Sequence, residues 1–299
     1  MSSEKMAQKR HLTAQEIRRK PKGFVDGLKV LVYHGLIIKY GVMELYNVSL
    51  EGKAVMVTGA AQGIGKCIAV KMAEAGAKGI TIVDLQAGGP IEQTKSELEA
   101  LGSEVIVYTG DVSKSETIKG AIEATTRRWG SLDVLINNAG IARMSDLFTT
   151  TEEQWDLVLA VNLRSVFLGM KYGAEVMKEQ GGGVIVNTSS IAGVTGGSTG
   201  ADYGASKAGV IALTKFGAKT LGPYGIRVNA IAPGTIATEM VKNNYSKLDE
   251  EGIRKRLSSI PMGRMGEPEE VAKAVLFLAS DLASYVSGEV LLITGARMS

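Results

Sequence analysis

From Leu50 onward, short apolar runs rich in β-branched residues alternate with longer stretches that have a helical period. The apolar runs are Ala54–Val57, Ile80–Val83, Val105–Tyr108, Val134–Ile136, Val184–Val186, Val228–Ile231 and Val290–Ile293. The helical stretches include Gly65–Ala75, Glu92–Leu101 and Tyr203–Leu221. Such alternation is typical of a parallel sheet covered by helices. It predicts one α/β domain over residues 50–299, a doubly wound parallel sheet of about seven strands with helices on both faces.

Residues 1–49 break this pattern and are predicted to form an N-terminal extension. Residues 1–22 are polar and basic, and we expect a mobile or weakly helical tail. Residues 24–46 are more apolar, but charges recur too often for a membrane-spanning helix, and no signal-peptide cleavage site follows. We expect a short amphipathic element packed on the main domain or on a partner subunit. Contact with a membrane surface is the alternative.

Charge and composition narrow the chemistry. The 299 residues carry a net charge of +3, and the extension holds the basic excess, so we favour a solvated tail over a nucleic-acid-binding arm. The single cysteine, Cys67, excludes an intrachain disulfide and favours a reducing, cytoplasmic location. The two histidines, His11 and His34, both lie in the extension. We therefore expect no metal site, and acid–base chemistry falls to Tyr, Lys, Asp or Glu.

A glycine-rich turn, Thr58-Gly59-Ala60-Ala61-Gln62-Gly63-Ile64-Gly65, joins the first strand of this domain to a helix. Glycines there let the backbone approach a pyrophosphate, and the helix N-terminus directs free N–H groups at the phosphates. The spacing departs from the general G-x-G-x-x-G fingerprint, so the turn alone is weak evidence.

The second strand ends at Asp84, where a carboxylate can accept hydrogen bonds from the adenosine ribose. The same carboxylate would repel a 2′-phosphate, and the neighbouring Leu85, Gln86 and Gln62 are uncharged. The sequence therefore favours NAD over NADP. An ordinary strand-end turn residue is the alternative interpretation of Asp84.

Tyr203 and Lys207 stand four residues apart, on one face of a predicted helix. Ser190 follows the strand Val184–Val186 by four residues. Because ligands lie beyond the carboxyl ends of strands in an open parallel sheet, Ser190 is expected near the helix that presents Tyr203. Ser190 has no histidine to activate it, so orientation and charge stabilisation are its expected roles.

These motifs, taken together, resemble those of the short-chain dehydrogenase/reductase family over about residues 50–295. The matching pieces are Thr58-Gly59-x-x-x-Gly63-x-Gly65, Asp111-Val112, Asn137-Asn138-Ala139-Gly140, Val161-Asn162-Leu163, Ser190, Tyr203-x-x-x-Lys207 and Pro233-Gly234-Thr235. The resemblance implies a Rossmann-like fold and hydride transfer between NAD(H) and a secondary alcohol or ketone. The family's C-terminal strand usually runs into a glycine pair, and Gly295-Ala296 departs from that pattern.

The resemblance also implies site residues. Tyr203 would exchange the proton with the substrate oxygen, Lys207 would hold the nicotinamide ribose and lower the pKa of Tyr203, and Ser190 would bind the substrate oxygen. Asn162 would help to hold a water in the proton relay. The residues expected at the cofactor are Gly59, Gln62, Gly63, Ile64, Gly65, Asp84, Asp111, Val112, Asn138, Ala139, Gly140, Tyr203, Lys207, Pro233, Gly234 and Thr235.

Residues of about 235–265 would form the substrate loop in this resemblance. Met240, Met262 and Met265 are either an adaptable apolar wall or plain core, and Arg143 and Met144 are candidates for the edge of the pocket. No basic cluster marks a charged substrate. We therefore expect an uncharged, apolar secondary alcohol or ketone, such as a hydroxysteroid or a cyclic alcohol.

Two alternatives stay open at this stage. One is a 3-oxoacyl-thioester reductase of the same family, which would normally prefer NADP. The other is a non-catalytic nucleotide-sensing protein, which would have no need of the full set of Asn162, Ser190, Tyr203 and Lys207. The resemblance further implies a homodimer or homotetramer.

Overall fold

The computed structural model describes residues 29–33, 36–40, 48–197, 199–239, 241 and 249–297. The chain divides into two compact units, Met1–Asn47 and Val48–Ser299. In the first unit, β1 (Lys29–Tyr33) and β2 (Leu36–Tyr40) pair antiparallel, with Tyr33 opposite Leu36. The predicted amphipathic segment therefore contains a pair of antiparallel strands. The predicted basic tail, residues 1–22, lies outside the described residues.

The second unit contains a seven-stranded parallel sheet, in the order β5-β4-β3-β6-β7-β8-β9. Its strands are β3 (Ala54–Thr58), β4 (Gly79–Asp84), β5 (Glu104–Thr109), β6 (Val134–Asn137), β7 (Gly183–Thr188), β8 (Ile226–Pro233) and β9 (Val290–Ile293). The predicted doubly wound sheet is confirmed. The strand order reverses between β3 and β6, which is where a crevice opens at the carboxyl ends of the strands.

Helices and turns connect the strands. They are α1 (Gly63–Glu74), α2 (Pro90–Ala100), α3 (Ser115–Trp129), α4 (Glu152–Leu159), a π-helical turn (Ala160–Arg164), α5 (Ser165–Glu179), α6 (Ala192–Thr195), α7 (Ala201–Leu221), α8 (Glu250–Ser258) and α9 (Pro268–Ala279). Short 3₁₀ turns cover Gly222–Tyr224 and Asp281–Ala283. Within the described residues, no helix is long and apolar enough to cross a membrane.

Successive side chains along each strand point to opposite faces of the sheet, and one apolar core forms on each face. On β3, Val55 and Val57 belong to the core formed with α1, α2 and α9, whereas Met56 belongs to the core formed with α3, α5 and α7. All five residues of β3 are buried. A strand buried on both sides is apolar at nearly every position, which explains the apolar runs in the sequence.

Candidate active site

The carboxyl ends of β3, β4, β6, β7 and β8 open onto a cleft of about 390 Å³. The cleft is lined by Gly59, Gln62, Gly63, Ile64, Gly65, Asp84, Leu85, Gly110, Asp111, Val112, Asn138, Ala139, Gly140, Ile141, Ala142, Val161, Thr188, Ser189, Ser190, Tyr203, Lys207, Pro233, Gly234, Ile236, Thr238, Glu239 and Val241.

The glycine-rich turn forms one end of this cleft. Gly59 and Gly63 have φ values of +67° and +59°, which favour glycine. A Cβ on Gly65 would lie 2.0 Å from the carbonyl oxygen of Gly59, so the turn is too tight for any side chain there. Gln62 precedes α1 in extended conformation and makes no side-chain cap in the described structure. The first N–H groups of α1 are therefore available to an anionic ligand.

Thr58 and Asn138 hold the glycine turn against the end of β6. The Thr58 hydroxyl accepts hydrogen bonds from the backbone N–H groups of Asn138 and Ala139, at 3.0 and 3.1 Å. The Asn138 amide donates to the carbonyl oxygens of Thr58 and Gly59, at 3.1 and 3.2 Å. This reciprocal arrangement fixes the two loops that form the floor of the cleft.

Asp84 lies at the end of β4, beside the glycine turn. One carboxylate oxygen accepts from the Ala61 N–H at 2.9 Å, and the other accepts from the Leu85 N–H at 2.8 Å. Each oxygen keeps further acceptor capacity toward the cleft. On the next strand, the Asp111 carboxylate accepts from the Ser113 N–H at 2.9 Å, which orients it at the end of β5.

Tyr203, on the first turn of α7, and Ser190, just after β7, meet in the cleft as predicted. A hydrogen bond from Ser190 lowers the pKa of Tyr203, but burial has the larger effect and raises that pKa above its ordinary value. The Ser190 hydroxyl also accepts from the Ala192 N–H at 3.1 Å. In this environment the phenol is protonated at neutral pH and can donate its proton to an oxygen in the cleft.

Lys207 lies one turn along α7 from Tyr203. Its Nζ is 5.8 Å from the centre of the Tyr203 ring and donates to the Thr188 carbonyl oxygen at 2.8 Å. The side chain is 4% exposed, and burial lowers its pKa to about 8. The ammonium is therefore charged at neutral pH, with two remaining N–H groups to offer to a ligand.

Backbone contacts fix the distance between α6 and α7. A Cβ on Gly193 would lie 2.6 Å from the Lys207 carbonyl carbon, and a Cβ on Gly204 would lie 2.5 Å from the Gly196 carbonyl oxygen. The helix that follows Ser190 thus lies in direct backbone contact with the helix that carries Tyr203.

Asn162 lies in the π-helical turn and is fully buried behind the cleft wall. Its Oδ1 accepts from the Ile141 N–H at 2.8 Å, and its Nδ2 donates to the Ile141 carbonyl oxygen and to the Ser206 hydroxyl, at 2.9 and 3.2 Å. π-helical turns inside helices frequently occur at functional sites. Here the turn directs the amide at the backbone of the cleft wall.

The cleft brings together all of the predicted site residues except two, Asn162 and Thr235. The Thr235 hydroxyl accepts a hydrogen bond from the Arg297 guanidinium at 2.7 Å and does not line the cleft. Sequence reasoning missed several residues that do line it: Leu85, Gly110, Ile141, Ala142, Val161, Thr188, Ser189, Ile236, Thr238, Glu239 and Val241. A search of the residues that directly follow each predicted strand would have identified Leu85, Gly110, Thr188 and Ser189.

The expected methionine wall of the substrate loop is not found in the described lining of the cleft. Met262 is 62% exposed, Met265 is half-buried, and neither lines the cleft, while Met240 lies outside the described residues. Arg143 and Met144 are exposed and also lie away from the cleft lining. The residues of the predicted substrate loop that line the cleft include Ile236, Thr238 and Val241. Among the described residues, no group of His, Cys, Asp or Glu side chains could hold a metal ion.

Comparison with known proteins identifies the family. A family model described as enoyl-(acyl carrier protein) reductase matches residues 59–295. The chain belongs to the short-chain dehydrogenase/reductase family. It is therefore an oxidoreductase of the type that acts between alcohols and ketones, and it uses a nicotinamide cofactor.

Three similar proteins illustrate the range of activities among the relatives of this chain. The chain is 44% identical over 246 residues to a 3-oxoacyl-[acyl-carrier-protein] reductase of Thermotoga maritima, covering 82% of this chain and 98% of the relative. It is 39% identical over 254 residues to a 3α-hydroxysteroid dehydrogenase of Mediterraneibacter gnavus, covering 84% and 98%. The crystal structure of levodione reductase is similar with a TM-score of 0.79 at 38% identity, covering 83% and 98%.

Proposed function

We propose that this protein is an NAD-dependent dehydrogenase of uncharged, apolar secondary alcohols, reversible toward the ketones. The observation that carries the proposal is the meeting of Tyr203, Ser190 and Lys207 in one cleft, with Ser190 hydrogen-bonded to the phenol and Lys207 Nζ 5.8 Å from its ring. Bound nicotinamide supplies the hydride acceptor or donor. The chain supplies orientation, a proton and stabilisation of charge.

In the proposed mechanism, Tyr203 is the acid in ketone reduction and its phenolate is the base in alcohol oxidation. Ser190 donates a hydrogen bond to the substrate oxygen, where charge develops as hydride moves. Burial favours the neutral phenol, so the protein is arranged to donate the proton. In the other direction, the nearby Lys207 ammonium stabilises the phenolate across a desolvated cleft.

The remaining predicted residues have supporting roles in this proposal. Lys207 offers its two free N–H groups to the nicotinamide ribose, while its third is held by the Thr188 carbonyl oxygen. Asn162 acts from behind the wall, because both of its Nδ2 hydrogens are engaged by Ile141 and Ser206. The glycine turn and the N-terminus of α1 receive the pyrophosphate.

The preference for NAD over NADP rests on Asp84. Its carboxylate lines the cleft, and Lys207 is the one basic residue among the described cleft-lining residues. A ribose 2′-phosphate at Asp84 would meet a like charge with no cation to offset it. The adjacent Leu85 is 64% exposed and lines the same end of the cleft.

A second candidate is reduction of a 3-oxoacyl thioester, which the identity to the Thermotoga maritima enzyme favours. It normally goes with NADP, whereas the charge at Asp84 supports NAD. Assay of the purified chain with NAD(H) and NADP(H), against steroids, cyclic alcohols and a 3-oxoacyl thioester, separates the two. Turnover of the thioester with NADPH alone would replace the first proposal by the second.

The acid–base assignment is tested by Tyr203→Phe. We expect kcat to fall at least about a hundredfold, because proton transfer loses its donor, while NADH binding measured by fluorescence stays within about twofold. Tyr285→Phe is the matched control, since Tyr285 is fully exposed and lies outside the cleft. Turnover by Tyr203→Phe at the wild-type rate would remove the phenol from the mechanism.

The cofactor assignment is tested by combining Asp84→Ser with Leu85→Arg. We expect the ratio of kcat/KM for NADP over NAD to rise by about tenfold or more, since repulsion is replaced by attraction. An unchanged ratio in a folded variant would remove Asp84 from the ribose.

The proposal extends to assembly and location. We propose a cytoplasmic homo-oligomer, which the single cysteine and the family membership support. Light scattering of the purified chain and cell fractionation are the measurements; a monomer in solution, or recovery with membranes, would contradict these two points.

A further inference from the structure

The residue immediately before Tyr203 is a carboxylate with no exposed surface. Asp202 is 0% exposed; one oxygen accepts from the Tyr203 backbone N–H at 2.7 Å, and the other accepts from Gln154 Nε2 at 2.9 Å. Among the described residues, no cation lies within ion-pair distance of it. A buried charge is costly unless it is fully hydrogen-bonded, so the donor from Gln154 matters here.

Gln154 carries this contact onward, into the loop before α4. Its Nε2 also donates to the Ser145 hydroxyl at 2.9 Å. The Thr150 hydroxyl gives its own proton to the Asp146 carbonyl oxygen at 2.7 Å, so Ser145 donates to Thr150 and must accept from Gln154. Both hydrogens of the Gln154 amide are therefore used, one on Asp202 and one on the loop.

The loop held in this way starts at the wall of the cleft. Residues 141–150 begin at Ile141 and Ala142, which line the cleft, and Asn162 fixes Ile141 at that end. Midway along the loop, the Ser145 N–H donates to the Thr199 carbonyl oxygen at 3.0 Å, just before α7 begins. The loop thus spans from the wall of the cleft to the start of the helix that carries the phenol.

We infer that Asp202 and Gln154 are positioning residues, which set the loop 141–150 against the amino end of α7 and so fix the cleft wall relative to the Tyr203 phenol. The inference rests on the proposed role of Tyr203. Neither side chain lines the cleft, so both act through the elements they join. Because the glycine turn and Asp84 lie on other strands, we expect the binding of the pyrophosphate and the adenosine ribose to change little when this network is altered.

The experiment replaces Gln154 by three residues of similar length and different hydrogen-bonding capacity. Gln154→Lys keeps a donor toward the Asp202 carboxylate, Gln154→Met removes the donor, and Gln154→Glu places a second carboxylate against Asp202. Gln154 is half-buried, so the longer lysine has access to solvent. Glu153→Gln, an exposed change on the same helix, is the matched control.

We expect kcat/KM for the alcohol substrate to fall by about tenfold in Gln154→Met and about a hundredfold in Gln154→Glu, through both substrate KM and kcat. Gln154→Lys and Glu153→Gln should stay within about threefold of the wild type. The KM for the nicotinamide cofactor should stay within about twofold in all four variants. A role in packing alone predicts the opposite order, with Met the mildest change and Lys no better than Glu.

Hydrogen–deuterium exchange gives a readout that does not depend on turnover. The Ser145 amide should exchange faster in Gln154→Met and Gln154→Glu, and at the wild-type rate in Gln154→Lys. Equal kinetics and equal exchange across the Met, Glu and Lys variants would overturn the inference. If the wild type reduced no ketone or Tyr203→Phe kept full activity, the proposed function would fail, and the exchange pattern would still report on the network.

Discussion

The hydroxyl of Thr58 makes a contact whose removal should be measurable in stability. Thr58 is buried at the end of β3; its hydroxyl accepts from the N–H groups of Asn138 and Ala139 and donates to the Ile136 carbonyl oxygen at 3.4 Å. Thr58→Val keeps the shape of the side chain and removes all three hydrogen bonds. Two backbone donors at the end of β6 would then lose their acceptor.

The size of the effect follows from these two donors. A buried donor left without an acceptor costs about 1–3 kcal/mol. Asn138 and Ala139 are half-buried, so water relieves part of this cost, and we expect Thr58→Val to lower the free energy of unfolding by about 2–4 kcal/mol. Thr58→Ser keeps the hydroxyl and loses one methyl group, for about 1 kcal/mol.

Urea unfolding followed by circular dichroism measures both variants against the wild type, provided that the slopes with urea agree. A larger loss of stability in Thr58→Val than in Thr58→Ser must come from the hydrogen bonds, because the serine variant carries the larger loss of apolar contact. If the valine variant were as stable as the serine variant, the hydroxyl would not be what joins β3 to β6, and the description of the cleft floor would be wrong.

Three further predictions concern other positions. Lys207→Met should raise the free energy of unfolding at pH 7, because the folded wild type holds a charged lysine whose pKa is lowered to about 8 by burial. The gain over the wild type should shrink as the pH rises from about 8 to 10.5, where the wild-type lysine becomes neutral in both the folded and the unfolded state. Unfolding measured at several pH values checks this sign. Gly65→Ala should weaken NADH binding by about tenfold or more, since the new Cβ would lie 2.0 Å from the carbonyl oxygen of Gly59. The control is Gly222→Ala, which has open space around the new Cβ and should bind NADH as the wild type does in the same titration. Ala296→Gly should raise the free energy of unfolding by about 0.5–1 kcal/mol, because Ala296 has φ +68°; a lower denaturation midpoint would contradict this.

Much of the fold could be predicted because burial on both sides of a parallel sheet writes long apolar runs into the sequence. The seven predicted strands all form, and most differ from the prediction only by one or two residues at an end, as Gly79–Asp84 does against Ile80–Val83. Helix α1 begins at Gly63, two residues before the prediction. No side chain caps α1 in the described structure, so its sequence carries no start signal at that point.

The parts that could not be predicted depend on contacts between distant residues. Thr235 accepts from Arg297, 62 positions away, and no local pattern indicates that pair. The resemblance implied a role for Lys207 in lowering the pKa of Tyr203, but no local pattern could show the effect of burial, which depends on the whole surrounding structure and raises that pKa. The methionines of the substrate loop were apolar enough for a wall, but only the structure could show that Met262 is exposed and does not line the cleft.

The close approach of α6 and α7 has a consequence for anyone who wishes to redesign this enzyme. Main chain meets main chain at Gly193 and Gly204, so at these two contacts there is no side chain to trim or enlarge. The distance between the hydroxyls of Ser190 and Tyr203 is therefore set by the main chain. Libraries aimed at bulkier substrates should leave both glycines untouched and vary Thr238 and Val241, which line the cleft and lie outside the buried core.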